Sequence, residues 1–221
     1  MTPQLLVLAK APVPGKVKTR LGHEIGMPAA ARLAAAALAD TLAVCSATVG
    51  PGRCWLALDG SLDDGVDGAD LGLLLAGWRV IPQRGSGLAE RIANAHLDVG
   101  GATHDPVVQV GMDTPQLTDE LLSAAAALLE SHDAVLGPAD DGGWWVMALR
   151  DPSAAGAIAD VPMSTPTTGI DTHRALEAAG LRVAETSVLQ DVDMLADARA
   201  VAALVPDSHF ARAFRQVARK T

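Results

Sequence analysis

Hydrophobic positions along the chain fall into two recurring patterns: short unbroken apolar runs bounded by Gly, Pro or Asp, and longer Ala/Leu stretches with polar residues at helical spacing. The first kind predicts strands at Gln4–Ala9, Cys54–Leu58, Arg79–Ile81, Pro106–Val110, Ala134–Gly137, Trp144–Leu149 and Arg182–Leu189. The second predicts helices at Met27–Ala47, Leu88–Leu97, Thr118–Ser131 and Ile170–Ala179, with two more closing the chain. Thr118 is the expected N-cap of its helix, and the Gly/Asp-rich segment Asp59–Asp70 reads as a loop. This β-α alternation implies an α/β fold, a doubly wound and mostly parallel sheet with helices on both faces. No repeat, low-complexity linker or composition break divides residues 1–221, so one domain is expected.

Composition sharpens this picture. The chain is 49% apolar and only 19% charged, which suits a packed core and excludes disorder. Much of the apolar content is alanine, as in AAARLAAAALAD, and small side chains let helices lie close on a sheet. The net charge of −9 argues against nucleic acid or an anionic membrane as partner. The apolar stretch from Ala29 to Val49 is interrupted by Arg32 and Asp40, so no membrane span is expected. MTPQLLVLAK lacks a basic start, and its apolar run is too short for a signal peptide. Cys45 and Cys54 show no C-x-x-C spacing, which points to a reducing interior, and a cytoplasmic protein is expected.

In doubly wound sheets ligands sit beyond the carboxyl ends of the strands, so residues following each strand are the candidates for chemistry. After the first strand, Lys10, Lys16, Lys18 and Arg20 fall within eleven residues, where about one cation is the average for this chain. Pro12 and Pro14 stiffen that segment and Gly15 lets it turn. Such a patch on an acidic protein is suited to a phosphate-bearing ligand, although a solvated basic loop has the same composition. It is not a Walker loop, since Val17 follows Gly15-Lys16. Gly85-Ser86-Gly87-Leu88-Ala89-Glu90 is not a dinucleotide fingerprint either.

Carboxylates follow two later strands. Asp113 ends a strand in Gly-Met-Asp-Thr-Pro, and Asp191 and Asp193 share one face if their segment is extended. Hard oxygen donors of this kind suit a magnesium-bound diphosphate, while caps and turns are the other common use of Asp. Gly137-Pro138-Ala139-Asp140-Asp141-Gly142-Gly143-Trp144-Trp145 joins two acids, a glycine pair and two indoles, as a ligand-lining turn or simply a hairpin with core tryptophans. The six histidines form no H-x-x-x-H pair and there is no G-x-S-x-G elbow, so zinc and serine hydrolysis are set aside.

AKAPVPGKVKTRL, Gln83 with GSGLAERI, GMDTP, GPADDGGWW, the Ser164–Pro166 STP and the Asp191–Asp193 DVD occur in this order over nearly the whole chain. Together they resemble the small glycosyltransferases of the arsenosugar-biosynthesis type, which are similar to 2-phospho-lactate and molybdenum-cofactor guanylyltransferases. The resemblance implies the glycosyltransferase-A-like nucleotide-diphosphosugar transferase fold, with some antiparallel pairing in the sheet. It also implies a nucleotide site at Ala9, Lys10, Gly15, Lys18, Arg20, Gln83, Gly87 and Arg91. Mg2+ or Mn2+ would sit on Asp113 and Asp193, and Asp141 or Asp140 would act as general base. Trp144 stands where such proteins have Tyr, Met163 where they have Trp, and Met194-Leu195-Ala196 where Thr and Pro are usual. The expected reaction is sugar transfer from a nucleotide diphosphosugar to a small acceptor. Nucleotidyl transfer from a nucleoside triphosphate, releasing pyrophosphate, is the alternative, and an inactive nucleotide-binding module is a third.

Overall fold

The computed structural model describes residues 2–219. Its strands are β1 (Gln4–Lys10), β2 (Cys54–Asp59), β3 (Arg79–Pro82), β4 (Val107–Gly111), β5 (Ala134–Pro138), β6 (Trp144–Leu149) and β7 (Val183–Glu185). The helices are α1 (Thr19–Ile25), α2 (Met27–Val49), α3 (Gly68–Leu74), α4 (Leu88–Thr103), α5 (Asp119–Leu128), α6 (Thr168–Ala178), α7 (Leu195–Leu204) and α8 (His209–Ala218). All strands join one sheet in the order β3-β2-β1-β4-β6-β5-β7. Only β6 is antiparallel to its neighbours β4 and β5. The expected mostly parallel sheet with some antiparallel pairing is therefore present.

Strand alternation divides the core between two faces. Leu5 and Val7 of β1 pack with Leu38 and Leu42 of α2 and Leu122 of α5 on one side. Leu6, one position out of phase, packs with Ala95 and Val99 of α4 on the other. By length and composition alone α2 could cross a membrane, but 67% of its most apolar window is buried inside the fold. Its alanines are core contacts: Ala30, Ala31 and Leu38 are fully enclosed. A third apolar cluster lies off the sheet, where Leu21 of α1 and Leu33 of α2 meet Val192, Val201 and Phe210.

Four sequence expectations need correction. Asp59–Asp70 is not all loop: β2 runs through Asp59, Leu62–Asp64 is a 3-10 turn, and α3 starts at Gly68. Asp and Gly depress helix propensity there, and burial of Leu71 overrides it. α1 was not expected at all, since the basic segment masks seven helical residues held by buried Leu21. α4 continues to Thr103, because Gly100 does not end it; a Cβ there would lie 2.7 Å from Pro152, so the glycine permits close packing. Within Arg182–Leu189 only Val183–Glu185 forms a strand, followed by an isolated bridge from Leu189 to Ala139.

Candidate active site

From β1 the chain leaves to one side for β2 and β3, then returns to add β4 on the other. The strand order thus reverses between β1 and β4, and a crevice opens beyond their carboxyl ends. A cleft of about 520 Å³ occupies this place. Because β6 runs backwards, its first residue, Trp144, also reaches this edge.

The basic loop is fixed from below. Ala11, Pro12 and Val17 are buried, the Ala11 N–H donates to Asp59 O at 2.9 Å, and the Val66 N–H donates to Pro12 O at 3.0 Å. Lys18 adopts a left-handed conformation, φ 45° and ψ 46°, which costs a residue with a Cβ roughly 1–2 kcal/mol. That bend turns its ammonium into the cleft, where Nζ lies 3.0 Å from Asp113 Oδ2 and 3.1 Å from Asp193 Oδ1. Arg20 reaches the other oxygen of Asp193 at 3.0 Å. Burial works against the charged form of Lys18, but the two carboxylates outweigh it and raise the pKa. Lys18 is therefore a buried, fully charged ammonium.

Both carboxylates are set by backbone. Thr114 to Leu117 form a buried turn after Asp113, and Thr118 caps α5 by accepting the Leu121 N–H, as expected. The Val192 N–H donates to Asp113 O at 3.2 Å, which brings Asp193 alongside despite the distance in sequence. Gln116 donates to Gln190 O, and the Asp197 carboxylate accepts the N–H groups of Asp193 and Met194. Asp191 faces the same cleft, and its pKa is pushed up to about 6 by burial, then by the neighbouring Asp141 charge. Asp141 lines the cleft and folds back to accept the Gly143 N–H at 2.7 Å.

The cleft gathers Ala9, Lys10, Lys18, Arg20, Gln83, Asp113, Asp141 and Asp193 from the residues expected at the site. Gln83 acts as a lace across strand ends, its Nε2 donating to Ala9 O and Ala57 O. The cleft lining does not include Gly15, Gly87, Arg91 or Asp140. Gly15 makes the loop turn at φ 79°, and Gly87 precedes α4 as its N-cap. Arg91 pairs with Asp59 at 2.8 Å and props the loop before α4, while Asp140 is exposed. The same lining also holds Lys16, Gln109, Trp144, Trp145, Met163, Thr165 and Asp191. All of these but Gln109 lie in segments the sequence had singled out; Gln109 was missed, although it is a polar residue inside the apolar strand VVQVG.

Four cations, Lys10, Lys16, Lys18 and Arg20, thus face four carboxylates, Asp113, Asp141, Asp191 and Asp193. A diphosphate entering this balanced lining brings excess negative charge, which a divalent ion on the carboxylates would offset. Among the described residues no cluster of three or more ligating side chains forms a complete metal site. Asp113 and Asp193, meeting at one ammonium, fit an ion whose other ligands come from phosphate oxygens and water.

A family model described as an uncharacterized protein conserved in bacteria (DUF2064) matches residues 41–165. No curated protein gives a significant match. Among solved structures, a protein of Desulfovibrio desulfuricans G20, provisionally named a nucleotide-diphospho-sugar transferase, is 26% identical with a TM-score of 0.83. That match covers 100% of this chain and 95% of the other. A cytidylyltransferase from Leptospira borgpetersenii shares the fold at 12% identity and TM-score 0.60, over 100% and 95% of the two chains. Rv0371c from Mycobacterium tuberculosis H37Rv, solved in complex with manganese, matches at 18% identity and TM-score 0.55, over 90% and 98%. The nucleotide-diphosphosugar transferase fold is thereby established.

Proposed function

The chain belongs to the DUF2064 family, and from the charges gathered at its switch point we propose that it is a metal-dependent glycosyltransferase. It moves a sugar from a nucleotide diphosphosugar to a small acceptor. The observation that carries this reading is the buried Lys18 ammonium, held by Asp113 and Asp193 at the mouth of β1 and β4. The arsenosugar-type enzymes are the finer resemblance, and the naming of the Desulfovibrio protein favours sugar transfer over nucleotidyl transfer.

Lys18 and Arg20 bind the diphosphate and stabilise the charge it gains as it departs. Lys10 and Lys16 extend the same positive wall toward solvent. Asp113 and Asp193 would hold Mg2+ or Mn2+, which supplies further neutralisation of the leaving diphosphate when bound; manganese in the Rv0371c complex supports this choice of ion. Gln83 and Ala9 shape the nucleotide end of the cleft. Asp141 takes the proton from the acceptor hydroxyl, since it lines the cleft and its neighbour Asp140 does not.

Incubation with nucleotide sugars, candidate acceptors and nucleoside triphosphates, followed by chromatography of the products, tests the reaction. Release of a nucleoside diphosphate from a nucleotide sugar is expected. Pyrophosphate release from a triphosphate, with nucleotide sugars inert, would replace the reading by nucleotidyl transfer. Asp113→Asn is expected to abolish magnesium-dependent nucleotide binding with the fold intact, and Asp193→Asn to weaken it. Calorimetric titration with and without magnesium checks both, and unchanged affinities would remove the metal from this place.

A further inference from the structure

Among the described residues, every cation lining the cleft comes from the segment Lys10–Arg20, from the end of β1 to the start of α1. The apolar cluster that contains Leu8, Ile92, Trp144 and Met163 also reaches the cleft, whose lining adds the neutral polar residues Gln109 and Thr165. The floor there is Gln109, on the face of β4 that looks toward α4. Gln109 is 2% exposed, and its enclosed Oε1 lies against the His96 ring, for which it acts as a hydrogen-bond acceptor. The amide is thus held from behind by His96, and its remaining hydrogen-bonding capacity is what a ligand hydroxyl at the floor of the cleft would meet.

The group behind Gln109 adds no charge. His96 of α4 is fully enclosed, and burial pushes its pKa down to about 4, with Gln109 acting in the opposite direction. It is neutral at physiological pH. At the rim Thr165 offers a hydroxyl, held in a network with Thr167 and Thr168. Trp144, tethered through Nε1 to Thr172 Oγ1 at 3.3 Å, offers an apolar surface beside it. Apolar walls with a few placed neutral polar groups match a ring that carries hydroxyls and no charge. A phosphate or carboxylate entering here would lose its hydration with no cation to replace it.

We infer that this part of the cleft is a subsite for an uncharged polyhydroxyl group, with Gln109 as its specificity-determining residue, and that it rejects phosphorylated or carboxylated ligands. The inference rests on the glycosyltransferase reading for the identity of that group, the sugar being moved. A hydroxyl can both donate and accept, so it satisfies the Gln109 amide in either orientation.

Saturation-transfer NMR with the full chain tests the subsite directly. The neutral probes are methyl glucoside and methyl mannoside; the charged ones are glucose 1-phosphate and 2-phosphoglycerate. The glycosides are expected to bind the parent, and to bind Gln109→Leu roughly five- to ten-fold more weakly. Thr165→Val, at the rim, provides a second variant should Gln109→Leu fold poorly, with a smaller loss expected. Titrations of UDP against UDP-glucose, and of GDP against GDP-mannose, then identify the source of the group. A loss confined to the nucleotide sugars in Gln109→Leu places the transferred sugar in the subsite. A loss confined to free glycosides places the acceptor there, and the neutral subsite stands. Glycoside binding without any nucleotide binding would overturn the transferase reading and leave the subsite intact. Binding of the charged probes in preference to the glycosides, no glycoside binding at all, or full glycoside affinity in both variants would overturn the subsite.

Discussion

Lys18 and Arg20 are two residues apart, yet the fold uses them differently. The Arg20 side chain is 72% exposed, so Arg20→Ala is expected to change stability by less than about 0.5 kcal/mol. Lys18→Met removes an enclosed charge from two carboxylates that are themselves partly solvated, and about 1–2 kcal/mol of stability should go with it. Both variants should bind nucleotide more weakly, by about 1–3 kcal/mol. Millimolar magnesium should raise the melting temperature of Lys18→Met more than that of the parent, because the ion restores positive charge between Asp113 and Asp193; equal responses would show that the ion binds elsewhere. His96 gives a separate pH signature. Its folded pKa of about 4 lies below the ordinary 6.5, so as pH falls through that window the unfolded chain takes up a proton that the folded one refuses. The His96 contribution is nil above about pH 6.5 and amounts to a loss of roughly 3 kcal/mol toward pH 4, while Asp191, with its pKa raised to about 6, acts with the opposite sign below that pH. Urea melts of parent and His96→Leu across this range should differ by this amount, the parent losing stability relative to the variant as pH falls, and parallel pH profiles would remove His96 from the account. The clustering of cations near Lys18 was evident in the sequence. Its burial was not, because a left-handed backbone at a lysine leaves no mark in composition or periodicity.

Among the elements, the turn between β5 and β6 carries the most specific geometry. Gly142 has φ 87°, and a Cβ on it would lie 2.1 Å from Pro166 O. Its own carbonyl accepts the Gly169 N–H at 2.8 Å, which seats the turn on the start of α6. Gly142→Ala should therefore separate the two segments and displace Asp141 and Trp144 together. A loss of at least about 1–2 kcal/mol is expected, with a larger fall in kcat/KM than in melting temperature. Thermal melts and steady-state rates on the same preparation check this. The turn was recognisable from its glycine pair and its acids, but its partner at Pro166 lies in another loop, and such pairings are set only by tertiary packing. The same reason explains Arg182–Leu189, whose β-branched residues suggest a long strand while the sheet edge pairs only with Val183, Ala184 and Glu185. Elements with strong periodicity, such as α2 and β4, followed the sequence within a few residues.

At the scale of the molecule, the fold class followed from alternation alone, while the meeting of Lys18 with Asp193 followed from nothing local. It depends on the apolar cluster beside the sheet, in which Leu21 of the basic segment and Val192 between the two aspartates are both buried. Phe210 anchors that cluster, and the Asp40 carboxylate holds α8 in place by accepting the His209 and Phe210 N–H groups. Phe210→Ala should cost about 3–5 kcal/mol and loosen nucleotide binding as well, although α8 does not line the cleft. Denaturation midpoints and nucleotide affinity measured together would test this, and a stability loss with unchanged affinity would separate the cluster from the site. The arrangement also matters while the chain is being made. Arg20 leaves the ribosome 173 residues ahead of its partner Asp193, an interval of roughly 9–35 s at ordinary rates of translation. During that interval the basic segment has no C-terminal carboxylate to meet, and the charged half of the cleft cannot close. The binding site is thus completed only once Asp193 has been made, and a chain that stops between β7 and Asp193 carries all seven strands without it.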